Sequence, residues 1–303
     1  MIEVRPCADE AEEERALAVY NAVRPWDAIT MDEVRSFRAI ASAYASFLAR
    51  RDGLDAGSVA SAVLPTRPHC GWTVLSVLPE HRRRGVGTAL YRIVSGWLDQ
   101  QGIAQIRASV DEDDPEGRAF AERRGFRETE RNARAILDLG ELDAPAIDPP
   151  AGIDIATWAE RPELTAAIFE VEREAQPDIP GGESREPDRY EDWLAHMQRP
   201  DNPRDATFLA LADGEVVGYA KLSLTAAQPR VGFHDMTAVK RAWRGRGIAG
   251  ALKRAQIAWA KEHGFERLHT ENELRNEAIR RLNDRLGYRQ VPGYLVLNGP
   301  LAS

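Results

Sequence analysis

Two stretches of the sequence share one pattern. Residues 77–87 read VLPEHRRRGVG, and residues 239–249 read VKRAWRGRGIA, 162 positions later (77 to 239). The same offset holds, without a gap, for Leu90/Leu252, Trp97/Trp259, Gly102/Gly264, Gly125/Gly287 and Phe126/Tyr288. Because chance does not keep one register over so many glycine and aromatic positions, the sequence predicts two copies of one fold.

The length agrees with a repeat. A chain of 303 residues corresponds to about two domains. Residues 145–150, PAIDPP, carry three prolines, which interrupt any helix or central strand. The predicted domains are therefore residues 1–148 and residues 149–303.

Composition and charge exclude several classes of protein. Hydrophobic residues make up 43% and charged residues 29%, which is typical of globular domains. The net charge of −8 makes nucleic acid an improbable partner. The two cysteines form neither a disulfide framework nor a CxxC pair, so no metal site is predicted. With no apolar run long enough for a membrane span and no signal-like N-terminus, we expect a cytoplasmic protein without membrane contact.

Each copy alternates strand, glycine loop, helix, strand and helix. Residues 73–78 form an apolar, β-branched run typical of a buried strand. The helix after the loop has apolar residues at helical spacing: Leu90, Ile93, Val94, Trp97 and Leu98 in the first copy, and Leu252, Ala255, Trp259 and Ala260 in the second. The fold class predicted is mixed α/β (α+β), with a twisted mixed β-sheet flanked by helices in each of two tandem domains.

The glycine loop has the chemistry of an anion site. A strand that runs through R-x-x-G-x-G/A into a helix directs several backbone N–H groups at one point, and the helix dipole favours negative charge there. The pattern lacks the G-x-G-x-x-G of dinucleotide-binding folds and the G-K-[ST] of a P-loop. Residues 82–87 and 244–249 resemble instead the [Q/R]-x-x-G-x-[G/A] loop of the GNAT superfamily of N-acetyltransferases. The capped helices that follow, ending at Phe126 and Tyr288, resemble the second block of that family.

The resemblance implies two tandem GNAT-like domains, acetyl-CoA as the cofactor, and a set of cofactor-binding residues. In the second copy these are Ala238, Val239, Arg244, Gly245, Arg246, Gly247, Ile248, Ala249, Gly250 and Asn276. In the first copy they are Val77, Arg82, Arg83, Arg84, Gly85, Val86, Gly87 and Thr88. Asn276 has a second interpretation as a simple N-cap.

The implied reaction is direct acyl transfer to an amine, which is assisted by a base on the strand before the loop. Counting back by twos from Val239 places Asp235 on the same face of that strand. Asp235 is therefore the predicted base, and it needs a raised pKa or a relaying water to act at pH 7. His234 is the alternative, because a bulge in this strand would reverse the two faces.

The tyrosine that usually acts as acid in this family is missing. Its position holds Asn283 in the second copy and Ala121 in the first. Asn283 can donate a hydrogen bond to the sulfur but cannot deliver a proton as a phenol does. Solvent, Tyr288 or Tyr294 are the alternative proton donors. Because the first copy also lacks a carboxylate on its strand, the N-terminal domain is predicted to be non-catalytic.

The acceptor site is expected in the segment before the second hairpin. Asp178 and Glu183 supply negative charge and Trp193 an aromatic face, a combination that suits a cationic amine. The alternative is an irregular surface loop beside a helix that buries Trp193. The predicted function is acetyl transfer to a small-molecule primary amine. The alternatives are a non-catalytic acyl-CoA-binding or sensing protein and a protein-lysine acetyltransferase, and the oligomeric state, monomer or homodimer, stays open.

Overall fold

The computed structural model describes residues 1–140, 142–179 and 189–302. The strands are β1 (Ile2–Pro6), β2 (Ala43–Arg51), β3 (Leu54–Leu64), β4 (Arg67–Val77), β5 (Gln105–Asp111), β6 (Arg127–Asp138), β7 (Asp154–Thr157), β8 (Thr207–Ala212), β9 (Glu215–Leu224), β10 (Val231–Val239), β11 (Arg267–Glu273) and β12 (Arg289–Pro300). The α-helices are α1 (Glu10–Val23), α2 (Met31–Ile40), α3 (Val86–Gln100), α4 (Pro115–Glu122), α5 (Thr165–Ala175), α6 (Tyr190–Met197), α7 (Ile248–Glu262) and α8 (Glu277–Arg285). The mixed α/β class predicted from the sequence is confirmed.

The chain forms two compact units, and each takes one strand segment from the other half of the sequence. Unit 1 comprises Met1–Arg131 and Tyr294–Ser303, and unit 2 comprises Asn132–Gly293. In unit 1, the end of β12 pairs antiparallel with β5. In unit 2, the end of β6 pairs antiparallel with β11. The units meet at residues 131/132 and 293/294, not at the predicted boundary of 148/149. Strand pairing between segments distant in the sequence determines these boundaries.

Both units have the same strand order. In unit 1 it is β1-β2-β3-β4-β5-β12, and in unit 2 it is β7-β8-β9-β10-β11-β6. Within each unit one neighbouring pair is parallel, β4 with β5 and β10 with β11. The β10–β11 pairing covers only four residue pairs and ends at His234 opposite Thr270. Beyond this point no further pairing joins the two strands, and a cleft lies between them.

The helix after each glycine loop covers one face of its sheet. In α3, Leu90, Val94 and Leu98 are fully buried at a spacing of four residues, as predicted. In α7, Leu252, Ala255 and Ala260 are buried in the same way. Among the described residues, no helix is both long and apolar enough to cross a membrane.

Candidate active site

The cleft of unit 2 has a volume of about 1130 Å³ and lies between β10, α7, β11 and α8. Its lining includes all the cofactor-binding residues predicted in the second copy: Ala238, Val239, Arg244, Gly245, Arg246, Gly247, Ile248, Ala249, Gly250 and Asn276. The sequence pattern therefore identified a set of residues that the fold does bring together. Whether they bind acetyl-CoA stays a prediction.

The loop exposes backbone donors because two of its glycines adopt left-handed conformations. Gly245 has φ +77° and Gly247, the N-cap of α7, has φ +87°. Both values favour glycine over residues with a Cβ atom. The first N–H groups of α7 have no intrahelical acceptor, so they face the cleft with the positive end of the helix dipole. This arrangement suits a phosphate group.

The loop arginines hold the loop in place rather than pointing freely into the cleft. Arg244 donates from Nε to the carbonyl oxygen of Val239 at 2.9 Å and from Nη1 to Asp178 at 2.7 Å. Arg246 donates to the carbonyl oxygen of Ala242 at 3.1 Å. The main-chain N–H groups, more than the guanidinium groups, are thus the available donors for an anion.

Asp235 occupies a β-bulge, which changes the face on which it was expected. His234 pairs with Leu222 but Met236 pairs with Lys221, so Asp235 is an extra residue in β10. His234 contacts Gln256 of α7, the helix that also packs on Val239. The bulge therefore places His234, not Asp235, on the face of Val239, and the expectation from simple alternation was wrong.

Asp235 belongs to a hydrogen-bonded ionic cluster on the opposite face. Its Oδ2 atom lies 2.5 Å from Nζ of Lys221 and accepts from Oγ of Ser223 at 3.1 Å, while Nε2 of His196 is 4.0 Å away. Burial raises the pKa of Asp235, but the charges of Lys221 and His196 and the two hydrogen bonds outweigh it and lower the pKa to about 2. The first of the two conditions for a base, a raised pKa, is therefore contradicted. The side chain is 40% exposed and lines the cleft, so it is accessible as a carboxylate.

His234 is not available as a base either. The buried ring contacts Oε1 of Gln256 through Nδ1 at 2.9 Å and the hydroxyl of Tyr288 through Nε2. Burial and the positive charge of Lys253 hold the pKa of His234 well below 6.5, so the ring is neutral. Because an amide oxygen can only accept, Nδ1 carries the proton and Nε2 accepts from Tyr288. Both ring nitrogens are therefore engaged.

Asn283 and Asn276 differ in whether their side chains line the cleft. Asn283 is 3% exposed, donates to Oδ1 of Asn272 at 2.8 Å, and is absent from the cleft lining. It therefore supports Asn272, which does line the cleft, rather than facing a sulfur atom. Asn276 precedes α8 but its side chain makes no capping bond, and it lines the cleft. Its side chain is thus accessible to a ligand.

Of the predicted acceptor-binding residues, Asp178 lines the cleft and Trp193 does not. Asp178 accepts from Nε of Arg241 at 2.8 Å as well as from Arg244, and these hydrogen bonds lower its pKa to about 2. The negative charge of Asp178 is thus balanced by these two arginines. Trp193 is 4% exposed and packs against Phe169 in the core, so it presents no face to a substrate. Glu183 lies outside the described residues.

Three of the charged side chains that line the cleft were not predicted from the sequence: Glu271, Glu273 and Lys253. Glu271 and Glu273 lie on β11 beyond the residues that pair with β10, and Lys253 lies inside α7. The sequence TENE at residues 270–273 was a signal, because charged residues at the end of a buried strand are uncommon without a function. Glu271 accepts from Nε of the buried Arg134 at 2.8 Å.

Unit 1 has a smaller cleft of about 580 Å³ at the equivalent place. Of the predicted first-copy residues, Val77, Arg82, Arg83, Gly85, Gly87 and Thr88 line it. Arg84 does not, and Val86 is buried in the core.

A buried guanidinium group occupies the region where β4 and β5 of unit 1 separate. Arg24 donates to the carbonyl oxygen of Ser109 at 3.0 Å and to its hydroxyl at 3.2 Å. Ser109 is the counterpart of Glu271 under the repeat offset. A guanidinium group thus contacts a neutral serine in unit 1, whereas in unit 2 the guanidinium group of Arg134 is paired with a carboxylate.

Comparisons with known proteins agree with this architecture. The model of the acetyltransferase (GNAT) family matches residues 9–126 and again residues 166–288. The chain is 28% identical over 283 residues to mycothiol acetyltransferase of Salinispora arenicola (strain CNS-205), covering 90% of this chain and 87% of the relative. It is 30% identical over 104 residues to aminoglycoside N(6')-acetyltransferase type 1 of Stenotrophomonas maltophilia, covering 32% of this chain and 67% of that protein.

Solved structures share the fold over the whole chain. A GCN5-related N-acetyltransferase from Sphaerobacter thermophilus superposes with a TM-score of 0.80 at 20% identity, covering 100% of this chain and 96% of the other. A tandem GNAT protein from the clavulanic acid biosynthesis pathway gives 0.79 at 22% identity, covering 100% and 99%. The repeated glycine loop, the separating parallel strands and the two family matches lead to one conclusion: the chain is a member of the GNAT acetyltransferase family with two GNAT domains.

Proposed function

We propose that unit 2 transfers an acetyl group from acetyl-CoA to the primary amine of a small molecule. The observation that carries this proposal is the cleft itself. It combines a phosphate-type loop at the N-terminus of α7 with carboxylates where β10 and β11 separate. The similarity to an aminoglycoside N(6')-acetyltransferase supports a small amine as the acceptor class.

The residues of the cleft fit coenzyme A in their chemistry. The N–H groups around Gly247 suit the pyrophosphate, and the uncapped side chain of Asn276 offers an amide for a hydrogen bond. Acetyl-CoA supplies the activated thioester carbonyl. Backbone donors of β10 near Val239 are the protein groups available to polarise that carbonyl.

The carboxylates at the strand separation fit a cationic acceptor. The contacts from Lys221, Ser223 and His196 to Asp235 all go to Oδ2, so Oδ1 is the oxygen of this carboxylate that no described residue contacts. Glu271 and Glu273 line the gap from β11, where they are ion-paired with Arg134 and Arg275. We assign Asp235 to binding the ammonium group. Because the pKa of Asp235 is about 2, its carboxylate is too weak a base to take the proton of the ammonium group. Water takes that proton instead.

The test is thiol release from acetyl-CoA over a panel of aminosugars, polyamines, amino acid amides and a lysine peptide, with acetylated product identified by mass spectrometry. Release with small amines and none with the peptide is the expected result. Release with the peptide alone would favour the protein-lysine alternative. Binding of coenzyme A by calorimetry without release to any amine would show a binding protein and overturn the proposal.

A further inference from the structure

Lys253 is a buried cation without a hydrogen-bond partner in the wall of the unit 2 cleft. It lies inside α7 and is 1% exposed, and its Nζ atom has no partner among the described residues. The ammonium group lies 5.2 Å from the centre of the Tyr288 ring. Burying an unpaired cation is costly, so a lysine at this position needs a reason beyond packing.

The repeat shows that the fold itself does not require a cation here. Counted from the loop glycine, Lys253 corresponds to Tyr91, six residues after Gly85. Tyr91 is buried too, but its hydroxyl donates to the carbonyl oxygen of Pro300 at 2.9 Å and its ring contacts Phe126. The hydroxyl of Tyr91 in unit 1 thus has a hydrogen-bond acceptor, whereas the ammonium group of Lys253 in unit 2 has none among the described residues.

Lys253 lies at the inner end of the cleft. The outer end is the glycine loop, where phosphate would bind. The inner end is lined by His234 and Thr270, the last residues that pair across β10 and β11, together with Lys253. Coenzyme A carries its sulfur at the end of the molecule remote from its phosphates. The sulfur therefore belongs at the end of the cleft where Lys253 lies.

We infer that Lys253 is the acid that protonates the thiolate of coenzyme A as it departs, an inference that rests on the proposed transferase function. The amine nitrogen forms a bond to the acetyl carbon, and the carbon–sulfur bond breaks with its electron pair going to sulfur. The sulfur takes a proton from the Nζ ammonium group, which leaves Lys253 neutral. Lys253 regains a proton from solvent once coenzyme A has left. This role replaces the absent tyrosine, whose position holds the buried Asn283.

The surroundings give Lys253 the acidity that this role needs. Burial lowers its pKa from 10.5 to about 7. The titratable groups that face it are His234 from β10 and Tyr288 from the chain before β12. Both are neutral at pH 7, because burial lowers the pKa of His234 and raises that of Tyr288. Lys253 is thus the one group of this cluster that exchanges a proton near neutral pH.

The first test compares Lys253→Met with Lys261→Met. Lys261 is on the same helix and donates to the carbonyl oxygen of Leu139 at 2.6 Å, outside the cleft lining. Loss of a general acid lowers kcat by about 10²–10⁴-fold. We expect that loss for Lys253→Met with acetyl-CoA and an unchanged kcat for Lys261→Met. With a selenoester analogue of acetyl-CoA, whose leaving group needs no proton, the defect of Lys253→Met should shrink. An equal loss with both esters would show a structural role and overturn the inference.

A second measurement does not depend on turnover. An ammonium group beside the sulfur lowers the pKa of the bound thiol of coenzyme A, which the ultraviolet absorbance of the thiolate reports. The thiol should ionise at lower pH in the wild-type protein than in Lys253→Met. Identical ionisation in both would overturn the placement of Lys253 even if transfer is observed. A shifted thiol without transfer to any amine would instead refute the proposed function and the acid role with it, while leaving the placement intact.

Discussion

Units 1 and 2 build the same glycine loop and then surround it with different side chains. Gly85 and Gly247 both have φ +87° and both are the N-cap of the following helix. Arg82 repeats the bond of Arg244, donating to the carbonyl oxygen of Val77 at 3.3 Å. The backbone geometry that suits an anion is therefore common to both copies, and it does not by itself distinguish a catalytic unit.

The difference begins at the next helix. In unit 1, Asp114 caps α4 by accepting from the N–H of Gly117 at 3.0 Å and also contacts Arg82. Arg124 donates to the hydroxyl of Thr88 at 2.7 Å, and the ring of Phe120 lies against Gly87. These contacts fill space beside the loop, and the cleft has about half the volume of its counterpart.

The difference continues at the separating strands. The pairing of β4 with β3 runs without a shift from Thr73 to Val77, whereas β10 contains the bulge at Asp235. Arg24 contacts Ser109 in unit 1, whereas unit 2 has Glu271 at that position. The bulge and a few polar replacements thus distinguish the cleft of unit 2 from that of unit 1 on a shared scaffold.

The largest expected effect comes from blocking each loop in turn. Gly247→Glu forces a side chain into a left-handed position and places a negative charge where phosphate binds. It should weaken acetyl-CoA binding to unit 2 by about 10²-fold or more, roughly 3 kcal/mol, and abolish transfer. Gly85→Glu should leave kcat within about twofold, as expected if unit 1 is not catalytic. Calorimetry and thiol release measure both. Loss of transfer in Gly85→Glu alone would reverse the assignment of the two units.

Asp235→Asn tests the residue that only unit 2 possesses. Loss of a charged hydrogen bond to the acceptor costs about 1.5–3 kcal/mol, so KM for the amine should rise about 10- to 100-fold while kcat changes less. The double variant Lys221→Met/Asp235→Asn controls for the buried Lys221 left without its carboxylate. Steady-state kinetics separate the two constants. If kcat instead fell by about 10²–10⁴-fold while KM stayed constant, Asp235 would be restored as the base.

The contrast between Lys253 and Tyr91 also predicts that stability changes with pH above neutrality. The folded pKa of Lys253 is about 7 and its ordinary value is 10.5, so between these values the unfolded chain binds the additional proton. The free energy of unfolding should therefore rise from pH 7 to pH 10, by an amount on the order of a few kcal/mol. In Lys253→Met this rise should be smaller. At pH 7 the variant should be more stable than the wild-type protein. Urea unfolding at several pH values is the measurement, and a curve parallel to that of Lys261→Met would contradict the expectation.

The smallest effect concerns the helix cap. Asn276→Asp gives unit 2 the residue that caps α4 in unit 1, and the backbone conformations of Asn276 and Asp114 are similar. The carboxylate should stabilise α8 by about 1 kcal/mol. Its charge should weaken acetyl-CoA binding by about 3–10-fold, roughly 1 kcal/mol. Thermal unfolding and calorimetry measure the two changes. Tighter binding of acetyl-CoA would argue against a phosphate-bearing ligand near this position.

The sequence by itself determined the features that depend on neighbours along the chain. The two-copy repeat, the glycine loops, the buried faces of α3 and α7 and the residues lining the unit 2 cleft near the loop all follow from local patterns. Helix periodicity and the left-handed preference of glycine act over a few residues, so they can be recognised without knowing the rest of the fold.

Tertiary structure alone decided the features that depend on distant partners. The bulge at Asp235 appears only when β10 is paired with β9, and it exchanges the faces of His234 and Asp235. Asp178 is ion-paired with Arg241 and Arg244, and Lys253 is enclosed without a hydrogen-bond partner among the described residues. Strand register, ion pairing and desolvation are set by residues far apart in the sequence. The charge state and accessibility of each catalytic candidate were therefore fixed only when those residues came together.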